Sequence, residues 1–139
     1  MSSRSKSRKR ALDALYASGI RNTDAMELLQ DTAADVADRQ NQAAIFDYAE
    51  AIVVGVTANL AQIDNDLRQI SDGWSLERMP NIDRSILRLG AWEILFNDEV
   101  PNEVAIAEAV TLAGEYSTDD SPKFINGVLA RLAKGTQAL

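Results

Sequence analysis

Apolar residues recur along most of this chain at spacings of three and four, the repeat of helices that bury one face. Leu12 and Leu15, with small Ala11 and Ala14 beside them and Tyr16 four residues after Leu12, open the first stripe. Gly19 is read as its stop. Thr23 is expected to cap a second helix, with Asp24 in the first turn, where the helix dipole favours an anion. Ala25, Leu28, Leu29 and Val36 mark the apolar positions of that helix. The third stripe is the longest: Ile45, Ala49, Ile52, Val56, Leu60, Ile63, Leu67 and Ile70, with no proline among them. A single helix over that span reaches roughly 40 Å at ~1.5 Å per residue, enough to tie two halves of a small domain together. Asp72-Gly73 is its expected end, and Gly55, costly inside a helix, is expected to admit a closely packed neighbour.

The segment Trp74–Pro80 reads as a short link with one helical turn. Asn81 is placed to cap the next helix, whose apolar face is Ile82, Ile86, Leu89, Ile94 and Leu95. Pro101 and Asn102 open another, with Ile106, Val110 and Ala113 on one side. Ser121 is expected to cap the last helix, with Pro122 at the first helical position, where its missing N–H costs nothing. Ile125, Val128, Leu129 and Leu132 form its stripe, and Gly135 is read as its end. The one β-branched run, Ile52-Val53-Val54, sits inside a helical repeat without flanking turn residues, so no strand is expected. The pattern predicts an all-α protein of about seven helices in two packed helical bundles, with residues 1–139 as one domain. No internal repeat or low-complexity linker interrupts it.

Composition narrows the chemistry. The chain has 139 residues, 46% of them hydrophobic and 25% charged, the balance of a globular protein with a sizeable core. It contains no Cys and no His. Disulfides, thiolate nucleophiles, imidazole bases and the usual soft metal ligands are therefore excluded. No glycine-rich phosphate loop is present. No catalytic residue, cofactor or metal is expected. No apolar run approaches the roughly 20 residues that span a bilayer, and no signal peptide follows the basic start. A cytoplasmic protein without membrane contact is expected.

Charge is unevenly spread. The formal net charge is −7, yet the first ten residues carry Arg4, Lys6, Arg8, Lys9 and Arg10 and no acid. A cationic arm on an acidic body holds phosphates locally while the body repels them. Arg4 and Arg8 share a face if the first helix extends that far. Tyr16, about two turns beyond Arg8, either presents its ring to a base or packs in the core. A second candidate is Thr118–Phe124, where a loop becomes a helix. Free N–H groups and the positive dipole end favour phosphate, Lys123 adds charge, and Phe124 is either a stacking face or a core anchor. Asp119 and Asp120 act in the opposite sense or cap the helix. Arg88 is either a further phosphate contact or a solvated partner of Asp83 or Glu93. Glu77 and Asp83 flank the end of the Trp74–Pro80 link and suit a basic protein partner.

At these residues the sequence resembles the bacterial transcription antitermination factor NusB family. The likeness begins at Arg8-Lys9-Arg10-Ala11-Leu12-Asp13-Ala14-Leu15-Tyr16 and continues through Gly55-Val56 to Ile63-Asp64. It then runs through Asp83-Arg84-Ser85-Ile86-Leu87-Arg88-Leu89 and Trp92-Glu93-Ile94. It is strongest in Val100-Pro101, Val104-Ala105-Ile106, Glu108-Ala109-Val110, Leu112-Ala113 and Lys123-Phe124-Ile125-Asn126-Gly127-Val128-Leu129. Residues 22–42 carry little of it. Several separated blocks in one order are more specific than any single block.

The resemblance implies two helical bundles and binding of the boxA element of ribosomal-RNA-operon transcripts. It implies a shared role with NusE, the small-subunit ribosomal protein, in an RNA polymerase complex with NusA and NusG. By matching positions, Arg8, Lys9, Arg10, Tyr16, Arg88, Asp120, Lys123 and Phe124 would lie at or near RNA, with Arg4 and Lys6 on the same arm. Glu77 and Asp83 would lie nearer NusE. Ala107 departs from the Asn frequent in the family, and no role is carried over to it. Some members form homodimers that cover the arm, so a homodimer is among the states implied. The cationic leader and the start of the last helix are expected to meet as one RNA-gripping surface. Two alternatives stand beside this non-enzymatic adaptor. One is the detached RNA-binding domain of an RNA cytosine methyltransferase, whose α/β cofactor domain and nucleophilic cysteine this chain lacks. The other is a helical protein–protein module whose arm is incidental and whose binding would not weaken steeply with salt.

Overall fold

The computed structural model describes residues 2–36, 39–71 and 74–137. Among them it contains seven α-helices, one 3-10 turn and no strand. The chain forms two compact units, Met1–Thr57 and Ala58–Leu139.

The first unit holds α1 (Ser3–Arg21), α2 (Ala25–Asp35) and α3 (Gln42–Ala58). The Ser2 hydroxyl caps α1 by accepting the Ser5 N–H at 3.0 Å. The helix does not stop at Gly19. It ends at Asn22, which adopts the left-handed conformation (φ 56°) and returns its N–H to the Ser18 carbonyl. Glycine inside a helix costs about 1 kcal/mol without forbidding it, and asparagine tolerates the left-handed turn. Thr23 is not the cap of α2. Asp24 holds that position, and the Thr23 hydroxyl donates back to the Arg21 carbonyl. Ala11, Leu12, Ala14, Ala25, Leu29, Ile45, Ala49, Ile52 and Val53 form the core of this unit.

The expected 45–70 helix is two helices. α3 ends at Ala58, Asn59 leaves helical geometry (φ −115°, ψ 19°), and α4 runs Leu60–Ile70. Thr57 and Asn59 both favour non-helical conformations, and Leu60, counted in the stripe, is exposed. α4 ends with the Ser71 N–H and hydroxyl on the Leu67 carbonyl. The expected stop at Asp72-Gly73 lies outside the described residues.

The second unit adds the 3-10 turn Leu76–Arg78, α5 (Asn81–Phe96), α6 (Asn102–Tyr116) and α7 (Ser121–Gln137). α5 is central. Ile86, Leu87, Leu89, Gly90, Ala91 and Glu93 are buried around its whole circumference, and α4, α6 and α7 all pack against it. Close approach occurs at Gly90. A Cβ there would lie 2.7 Å from Leu129 Cδ1, so glycine lets α7 settle onto α5. α7 continues two residues past Gly135, the expected end.

Candidate nucleic-acid interface

The basic arm is helical from Ser3 onward. Cations at a helix N-terminus oppose the helix dipole, and no acid offsets them in the first turn. Contacts with α3 compensate. The Arg4 guanidinium lies 3.8 Å from the centroid of the Tyr48 ring, Arg8 lies 5.8 Å from the same ring, and Arg10 lies 5.4 Å from Phe46. The Ser7 hydroxyl donates to the Ile45 carbonyl at 2.7 Å. Arg4 and Arg8 do share a face, but it is the face turned to Tyr48. Arg8 is 2% exposed, so its guanidinium belongs to the interior of this unit rather than to an open phosphate site. The helical repeat leaves another stripe at spacings of three and four: Lys6, Lys9, Asp13 and Tyr16, with Arg10 beside Lys6. Tyr16 is 36% exposed, so part of its ring reaches the surface of α1.

The start of α7 is built from below. Asp83, at the first turn of α5, is 6% exposed. Its carboxylate accepts hydrogen bonds from the Ser117 hydroxyl and, at 3.0 Å, from the Ser121 hydroxyl. Ser121 Oγ also lies 2.9 Å from Ser117 Oγ and 3.0 Å from Thr118 Oγ1. One buried carboxylate thus fixes the end of α6, the turn and the start of α7. Two expectations change. Ser121 directs its hydroxyl to Asp83, and Asp83 is interior rather than offered to a protein partner. Above this base Lys123 and Asp120 are exposed, and Phe124 is half-buried. The Phe124 ring meets Trp74 with centroids 5.1 Å apart and planes at 51°.

Arg88 pairs with neither Asp83 nor Glu93. Its Nε and Nη2 donate to Asp64 Oδ1 and Oδ2, both at 2.8 Å, a two-pronged clamp of α5 on α4. A guanidinium so engaged is a positioning group of this unit. Glu77 is exposed but committed. Arg68 donates to its Oε1, and the Ser75 hydroxyl donates to its Oε2 at 2.9 Å. Arg84 ties the same link by donating to the Leu76 carbonyl at 3.1 Å.

The Arg68 hydrogen bond, with help from Glu77's own backbone N–H and Ser75, lowers the Glu77 carboxyl from 4.5 to about 2. A carboxylate whose pKa falls on folding supports the fold fully above its unfolded value, and that support fades as pH drops towards the folded one. The Arg68–Glu77 tie is therefore expected to persist from neutrality to below pH 4.5 and to open near pH 2. Carboxyl-detected NMR titration of Glu77 checks this, and a midpoint at 4.5 would refute it.

The structure gathers the sequence candidates into two groups. Lys6, Lys9 and Tyr16 lie along one side of α1, with half-buried Arg10 beside them over Phe46, and Asp120, Lys123 and Phe124 lie at the start of α7. Arg8, Arg88 and Asp83 hold the scaffold. Sequence reasoning missed Trp74, which is 59% exposed. An aromatic in a link, outside every apolar stripe, was the available signal. Among the described residues no three acidic side chains are placed to hold a metal ion, and no single helix is long and apolar enough to cross a membrane.

The sequence profile of the NusB family matches residues 5–134. A transcription antitermination protein NusB from Nocardioides sp. is 45% identical over 139 residues, covering 100% of this chain and 99% of that protein. Among solved structures, T. maritima NusB matches with a TM-score of 0.84 at 33% identity, over 94% of this chain and 90% of that one. A chain from a crystal structure of antitermination factors NusB and NusE in complex with dsRNA shares the fold, with a TM-score of 0.85 over 97% of this chain and 98% of that one, at 24% identity. A profile that spans nearly the whole sequence and a full-length relative of such identity show that this chain belongs to the NusB family of transcription antitermination proteins.

Proposed function

We propose that this protein binds boxA RNA of ribosomal-RNA-operon transcripts together with NusE. We propose further that it joins NusA, NusG and RNA polymerase in the cytoplasm to suppress early termination. The observation that carries the reading is the open stripe of α1. Lys6, Lys9 and Tyr16, with Arg10 beside them and one acid, Asp13, among them, put net positive charge and an aromatic ring on one side of a helix in an otherwise acidic chain. Phosphates are gripped by such cations and bases stack on such rings. Lys123 and Phe124 repeat the pairing at the start of α7, and we assign each group to RNA contact. A NusB of the same fold occurs with NusE and dsRNA, which supports the assignment. The acidic body repels phosphate, so the protein alone is expected to bind boxA weakly and to bind it more tightly with NusE. A fluorescence titration of labelled boxA and scrambled RNA, with and without NusE, tests this. Equal affinity for both RNAs under both conditions would sink it.

A further inference from the structure

Trp74 is the one large aromatic in the Trp74–Pro80 link, and it belongs to no apolar stripe. A tryptophan with 59% of its surface in water is unusual unless something covers it in use. Its backbone is held: the Trp74 N–H donates to the Ser71 carbonyl at 2.8 Å. The link that follows is fixed to α4 by Arg68–Glu77 and to α5 by Arg84. Its ring leans on Phe124 in a tilted pair, and exposed Lys123 directly precedes Phe124 on α7. Two rings held in a tilted pair, one mostly open, beside a cation suit an unpaired nucleobase with its phosphate. An acidic or aliphatic peptide would leave either the cation or the ring without a matching group.

We infer that Trp74 is a base-stacking residue, forming with Phe124 a two-ring platform for a single-stranded RNA base whose phosphate lies towards Lys123. This deepens the RNA-binding reading above and rests on it. Stacking is largely insensitive to salt, whereas phosphate contacts set the salt slope, so the two contributions separate experimentally.

The test uses the full chain with NusE and a labelled single-stranded boxA oligonucleotide over a range of salt. Trp74→Leu keeps an apolar side chain without a π-face. It is expected to weaken binding roughly 10- to 100-fold at every salt concentration with the slope unchanged, and Trp74→Tyr should recover most of the loss. Lys123→Ala should instead lower the slope by about one phosphate contact. Circular dichroism melts of each variant exclude misfolding as the cause. Unchanged RNA affinity in Trp74→Leu overturns the platform and leaves the RNA reading standing. Loss of NusE association with RNA affinity unchanged overturns it in favour of a protein contact. Failure of the unsubstituted protein to bind RNA in any condition overturns the RNA reading, and the platform with it.

Discussion

Replacing Asp83 by alanine is expected to destabilise the protein by about 2–4 kcal/mol. Hydrogen bonds to a charged acceptor are worth about 1.5–3 kcal/mol each, and Asp83 accepts two from serine hydroxyls near the base of α7. Ser117 and Ser121 would keep each other and Thr118 as partners, which limits the loss to less than the sum. Asp83→Asn keeps the shape and one acceptor oxygen and should lose about half as much. Urea melts check both: the midpoint should fall while the denaturant slope stays constant. RNA affinity should also fall in Asp83→Ala, because Lys123 and Phe124 depend on that turn for their position. A midpoint unchanged in Asp83→Ala would show that the carboxylate does not hold the turn.

Removing the cations from the open stripe of α1 is expected to have the largest effect on RNA. In Lys6→Ala/Lys9→Ala/Arg10→Ala, the three proposed phosphate contacts would disappear. Each contributes about 0.7 to the logarithmic salt slope for a single strand, so the slope should flatten by about 2. At ~0.1 M salt that corresponds to roughly a 100-fold loss of affinity. Association with NusE should be largely unaffected. Arg8→Ala makes the opposite case. Its guanidinium is buried near the Tyr48 ring, so the expected outcome is about 1–2 kcal/mol of stability lost with the RNA salt slope unchanged. A triple variant that binds RNA with the original slope would remove α1 from the interface.

These contrasts show where residue types were informative and where they were not. Arg8 and Lys9 are adjacent and equally cationic, and they share one sequence block. Only the rotation of α1 about its axis decides that one faces Tyr48 and the other the open stripe. Asp83 looked like a surface acid because it flanks the end of the Trp74–Pro80 link. The serines that bury it lie 34 and 38 residues away, a distance no local pattern reports. Arg88 presented the same difficulty, since its partner Asp64 is 24 residues distant and in another helix. The break at Asn59 was hidden because the spacing of apolar residues is the same on both sides of it.

The sequence by itself determined the helical class, the approximate place of each helix, the absence of cysteine and histidine chemistry, and the two basic–aromatic stretches. It could do so because helical periodicity and composition are local properties, written in residues a few positions apart. Tertiary structure alone decided which cations stay open, which carboxylates anchor the scaffold, and that Trp74 meets Phe124. Those outcomes depend on contacts between residues far apart in the chain, where packing and desolvation assign each charged or aromatic side chain to the interior or to water.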